Sequence, residues 1–130
     1  MNDSLRDEEL VTAYLRHFAT KDDALFWAWE RVQEYVRKDP RKAWELTLQL
    51  IAAAPEKNAL AYVAAGPLED LLYARGALFV GEVEHLASSD PKFLSALRLI
   101  AGPFTSECDA SNRIVKAAGI SLPFVDEEWP

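Results

Sequence analysis

Two Asp-Pro pairs stand 51 residues apart, at Asp39-Pro40 and Asp90-Pro91, and each separates one run of helically spaced apolar residues from the next. Proline has no backbone N–H and its ring clashes with the preceding helical turn, so it is tolerated at the start of a helix and not inside one. An aspartate just before it supplies a carboxylate to the free N–H groups of that first turn. Each pair therefore ends one helix and opens another. The same shift of 51 aligns Val32 with Val83, Leu46 with Leu97 and Leu48 with Leu99. A slippage of two residues also brings "ALF" at 24–26 onto "ALF" at 77–79. Two helical hairpins share an apolar period for physical reasons alone, so duplication and coincidence both account for the match.

The remaining segments read the same way. Leu10, Val11, Tyr14, Leu15 and Phe18 recur at helical spacing, with Ser4 and Asp7 placed to cap that first helix. A second helix spans about 24–38, with Leu25, Trp29, Val32 and Val36 on one face. A third opens at Pro40, carries Ala43, Leu46, Thr47, Leu50 and Ile51 inward, and closes at Pro55. A fourth starts near Asn58 and meets an interruption at Gly66-Pro67; the helix opening at Pro67 is expected to stop at Gly76. Further helices run from Ala77 to about Ser88, from Pro91 through "PKFLSALRLIAG", and through "TSECDASNRIVKAAG" to Gly119. No strand pattern competes. The expected fold is all-α, six to seven helices arranged as stacked hairpins, either a compact bundle or a short α-solenoid-like array. The expected organisation is one domain: an N-terminal helix at 1–20, a core at 22–101, a last helix at 104–119 and an extended, proline-interrupted tail at 120–130.

A chain of 130 residues, half of them hydrophobic and 27% charged, has the composition of one ordinary globular domain. No apolar run approaches the roughly 18 residues that a bilayer crossing needs. The stretch "MNDSLRDEEL" is acidic and polar, unlike a secretory or transit peptide, so a cytoplasmic location is expected. The net charge of −7 repels phosphate backbones, and the densest basic stretch, Arg37-Lys38 and Arg41-Lys42, is broken by an interhelical turn. Neither nucleic acid nor membrane is expected as a partner. Cys108 is the only cysteine, which excludes an internal disulfide and a cysteine-based zinc site. Its acidic neighbours Glu107 and Asp109 disfavour the thiolate.

Three features carry candidate chemistry. In "AAGPLEDLL" at 64–72, Gly66 and Pro67 mark a helix junction, and Glu69 lies in a first turn where a carboxylate gains from the helix dipole. Leu68, Leu71 and Leu72 face inward, which turns Asp70 and Tyr73 outward. Adjacent helical positions diverge by about 100°, so Glu69 and Asp70 do not converge on one substrate unaided. Asp70 is left without a structural task. Glu82-x-x-His85 has the spacing of a metal-binding pair, but the only other histidine, His17, lacks a matching glutamate. No metal and no cofactor is expected, and no catalytic residue is assigned. Finally, in "ALFWAWERV", Trp29 falls on the core stripe while Trp27 lies about 160° away beside Arg31, Glu34 and Lys38. Either a neighbouring helix covers Trp27 or it is an aromatic anchor for a partner. Phe124 and Trp129 in the tail pose the same alternative.

The segments "FWAWERV", "DPRKAWELTLQLI", "LAYVAAGPLEDLL" and "FVGEVEHLASSDPKFLSALRLI" together resemble a family of small uncharacterised bacterial helical proteins, over residues 22 to 101. Gly66 to Leu72 is the most specific part of that resemblance. It implies a bacterial origin and a helical fold and carries no activity. The leading expectation is thus a non-enzymatic helical module acting by protein–protein contact, with an unidentified protein partner or by self-association, through Trp27, Glu69, Asp70, Tyr73 and Trp129. Two alternatives stand beside it. One is an immunity-type protein that neutralises a basic toxin by charge complementarity. The other is a small hydrolase or metal-dependent enzyme using Glu69, Asp70, Glu82 and His85.

Overall fold

The computed structural model describes residues 3–100 and 108–119, and every regular element among them is helical. In chain order these are α1 (Asp3–Thr20), α2 (Phe26–Lys38), α3 (Pro40–Ala53), α4 (Lys57–Val63), α5 (Glu69–Ser89), α6 (Pro91–Arg98) and α7 (Cys108–Ala118). A short 3-10 turn, Asp23–Leu25, leads into α2, and a wide π-type turn, Ala64–Leu68, joins α4 to α5. The fold is all-α. No helix among the described residues is long and apolar enough to cross a membrane.

Both Asp-Pro pairs do what proline chemistry requires. Asp39 accepts from the Lys42 amide at 3.3 Å, while Asp90 accepts from the amides of Lys92 at 3.0 Å and Phe93 at 3.2 Å. Each thereby satisfies N–H groups that the first helical turn leaves free. Asp90→Ala is expected to cost about 1 kcal/mol, and Asp39→Ala, which loses one long bond rather than two, less than that. Urea denaturation of the two variants tests the order.

The helices form a compact bundle rather than a solenoid. In a solenoid each hairpin touches only its neighbours; here α3 packs against α1, α2, α4, α5 and α6 together. Its buried face, Ala43, Trp44, Leu46, Thr47, Leu50 and Ile51, is the centre of the core. Polar ties lock the other helices to it. The Lys42 ammonium donates to Asp7 of α1 at 2.8 Å, and the Lys92 ammonium donates to the carbonyls of Ala52 and Ala54 at 2.8 and 2.9 Å. Asp7 is therefore an interhelical partner inside α1 and not the cap expected of it. The residues paired by the 51-residue shift keep equivalent places in part: Val32, Val83, Leu46 and Leu97 are all fully buried. The "ALF" pair does not follow, because Phe79 lies under Trp44 in the core while Phe26 sits at the surface.

Two expected breaks become kinks. Pro67 removes an N–H from the helical ladder, and the backbone widens around it: Gly66 leaves helical geometry at φ −95° and ψ −107°, and the Glu69 amide reaches back to the Ala64 carbonyl. Helix α5 then continues through Gly76, which takes no positive φ, with the departure displaced to Arg75 at φ −136° and ψ 30°. A glycine inside a helix costs about 1 kcal/mol. Burial of Leu71 and Leu72 before it and Phe79, Val80 and Val83 after it outweighs that cost.

Candidate functional site

The kink at Gly66 does more than connect two helices. It opens one wall of a pocket of about 310 Å³ lined by Tyr14 of α1, Trp29 and Gln33 of α2, Tyr62 of α4, Ala65 and Gly66 of the wide turn, and Asp70 of α5. π-type turns inside helices are frequent at functional sites, because the extra residue redirects the side chains around it. Trp29 and Gln33 are four apart and share one face of α2. Asp70 is one turn beyond the kink. The residue of "AAGPLEDLL" that had no structural task thus faces a cavity.

Three of the seven lining residues named above carry aromatic rings. The Tyr14 and Tyr62 centroids lie 5.5 Å apart at 48°, Tyr62 lies 4.7 Å from Phe18, and Trp29 stacks on Phe26 at 5.2 Å and 18°. These contacts hold the pocket's aromatic side chains in place from behind. Asp70 is an exposed residue, yet desolvation beside the pocket raises its carboxyl above the ordinary carboxylate range, opposed by the nearby Gln33 amide. Burial, then the neighbouring Tyr62 and Asp70, raises the Tyr14 hydroxyl well above the ordinary tyrosine value. It therefore stays neutral, able both to donate and to accept. That hydroxyl has no hydrogen-bond partner among the described residues, although Tyr14 is only 1% exposed.

The residues singled out from the sequence separate into four groups. Asp70 joins the pocket. Glu69 is half-buried in the first turn of α5, and its amide bonds back to Ala64 through the wide turn, so no free helix end is left there for its charge to meet. Trp27 and Tyr73 remain at the surface, 45% and 63% exposed, on different helices. Trp129 and Phe124 lie outside the described residues, as does the 120–130 tail.

The geometry does not bring Asp70 together with Glu82 and His85. Twelve residues of α5, roughly 18 Å of helix, separate Asp70 from Glu82. Glu82 is occupied elsewhere: it accepts from the buried Trp44 indole at 2.7 Å and from Arg41 at 2.5 Å. His85 is exposed, and no three His, Cys, Asp or Glu side chains gather as a metal-ligating group among the described residues. Arg41, part of the basic stretch at the turn, also lies 5.0 Å over the Phe79 ring, which ties it to the bundle.

Sequence reasoning missed Tyr14, Gln33 and Tyr62, and it read Trp29 as a core residue. One signal was present: Tyr14 occupies a core position on α1, where an aliphatic side chain would not bring in a hydroxyl that needs a partner.

Comparison with curated proteins and with solved structures returns no match. A model of a protein family of unknown function, DUF6869, matches residues 16–119, reaching past both ends of the 22–101 segment and taking in every pocket residue except Tyr14. The match spans most of the chain, and the protein belongs to that family.

Proposed function

We propose that this protein is a non-enzymatic, cytoplasmic helical module that works by protein–protein contact through the start of α2. One observation carries this reading. Among the described residues six large hydrophobic side chains stay exposed, and two of them, Phe26 and Trp27, are adjacent aromatics, 41% and 45% exposed. Exposed aromatic anchors of this kind dominate binding energy at interfaces and are costly to leave in water without a purpose. Phe26 is fixed by its stack on Trp29 and by an edge contact with His17 at 5.6 Å, so that ring is presented rigidly. The net charge of −7 favours a partner with a basic surface.

A photo-crosslinking residue placed at position 27, in cells that natively make the protein, tests the reading. A discrete adduct is expected, competed away by excess wild-type protein and by Val115→Ala but not by Trp27→Ala. Val115 is the control because it is apolar, 54% exposed and on α7, away from the α2 patch. If position 115 carrying the same crosslinker yields the same adducts as position 27, the patch has no partner and the proposal fails.

A further inference from the structure

The pocket at the Gly66 kink has a chemistry of its own, distinct from the α2 patch. Among the described residues its lining includes three aromatic residues, Tyr14, Trp29 and Tyr62, one carboxylate, Asp70, and one amide, Gln33, with no lysine, arginine or histidine. Aromatic faces carry negative potential and a carboxylate carries full negative charge, so the two together select a cation. The same lining disfavours an anion. It also gives a neutral aliphatic molecule nothing to offset the desolvation of Asp70.

Two details narrow the class. Gly66 contributes no side chain, and a Cβ there would stand 3.3 Å from the Tyr14 hydroxyl oxygen, so the glycine keeps the floor around that oxygen clear. The hydroxyl is a buried hydrogen-bonding group with no partner among the described residues, and the carboxylate of Asp70, which lines the same pocket, is near enough to act on it electrostatically. A primary ammonium carries three N–H donors, enough to serve both a carboxylate and a hydroxyl, on an alkyl stem that suits aromatic walls. A volume of about 310 Å³ lies at the small end for ligand pockets and matches one alkylamine rather than a nucleotide or a cofactor.

We propose that this pocket binds a primary alkylammonium group, held by Asp70 and the Tyr14 hydroxyl and seated against Trp29 and Tyr62. The group comes either from a free amine or from a lysine side chain of a protein. This inference stands apart from the α2 contact reading: the pocket test uses purified protein and small molecules, so failure of the crosslinking experiment leaves it untouched.

The test is a titration of the isotope-labelled full chain followed by amide chemical shifts. 1,5-Diaminopentane and Nα-acetyl-lysine amide are the two cationic probes; 1-pentanol and pentanoate are the neutral and anionic controls. Saturable shifts are expected at Gln33, Tyr62, Gly66 and Asp70 with one or both amines and with neither control. Tighter binding of the diamine identifies a free amine as the ligand, and tighter binding of the lysine derivative identifies a protein side chain. Asp70→Asn is expected to weaken binding about tenfold or more, since it removes the charged acceptor. Glu45→Gln, the same charge change on an exposed residue that does not line the pocket, is expected to leave it within about twofold. The proposal is overturned if neither amine saturates these shifts at millimolar concentration, if pentanol binds as well as the amines, or if the Asp70 and Glu45 variants lose affinity equally. The wild-type pattern of amide signals in each variant confirms that the fold is retained.

Discussion

Trp44→Ala is expected to destabilise the fold by about 3–5 kcal/mol, the range for removing a fully buried large aromatic side chain. Trp44 is 1% exposed at the centre of α3. Its ring stacks on Phe79 at 4.5 Å and 10° and meets Phe93 edge-on at 6.1 Å, so one side chain joins α3 to both α5 and α6. Its indole N–H donates to Glu82 at 2.7 Å, which settles the one polar atom the ring takes into the core. Alanine would leave a cavity flanked by two aromatic rings that cannot collapse into it without moving their helices. For a domain of this size the loss corresponds to a melting temperature lower by roughly 10–20 °C. Trp44→Phe separates the two contributions, keeping most of the packing while deleting the indole bond, and is expected to cost less than half as much. Thermal and urea unfolding measure both. A loss below about 1.5 kcal/mol for the alanine variant would show that α3 is not the centre of the bundle.

The elements that were legible in the sequence are those decided by local chemistry. Asp39 and Asp90 cap the turns their prolines open because both the donor amides and the carboxylate lie within three residues of one another. Leu68, Leu71 and Leu72 point inward because helical period alone sets their direction, and all three are fully buried. What was not legible depends on partners distant in the chain. Glu82 had the spacing of a metal pair with His85 and no partner its neighbours could name, whereas it accepts from Trp44 and Arg41, 38 and 41 positions earlier. Gly76 looked like a helix stop, and the buried side chains on both sides of it carry the helix through. The pocket follows the same rule. Asp70 was recognisable as a residue with no structural task, whereas the Tyr14, Trp29, Gln33 and Tyr62 side chains that give it surroundings come from three other helices. Their ring spacings follow from how those helices cross, which periodicity does not encode.

Tyr14→Phe is expected to stabilise the protein by about 1–2 kcal/mol, the opposite sign to most substitutions of a buried residue. The hydroxyl is buried with no partner among the described residues, so it has left water and gained no bond from them in return. Phenylalanine keeps the ring against Tyr62, and the space vacated is that of one oxygen beside Gly66, too small to cost as much as the unmet hydroxyl. The melting temperature is expected to rise by roughly 3–8 °C. Tyr62→Phe serves as the comparison: Tyr62 is only half-buried, and its variant is expected to stay within about 0.5 kcal/mol of wild type. If Tyr14→Phe instead destabilises by 1 kcal/mol or more, the hydroxyl makes a stabilising bond in the free protein and the floor of the pocket is already satisfied. The expected gain has a functional reading. A group that lowers stability in the unliganded fold persists where binding uses it, the usual trade between stability and function at a site. The same variant is therefore expected to melt higher and to hold the alkylammonium probe more weakly. Those two shifts, measured on one protein, distinguish a ligand-binding hydroxyl from a packing defect, which would raise stability and leave binding unchanged.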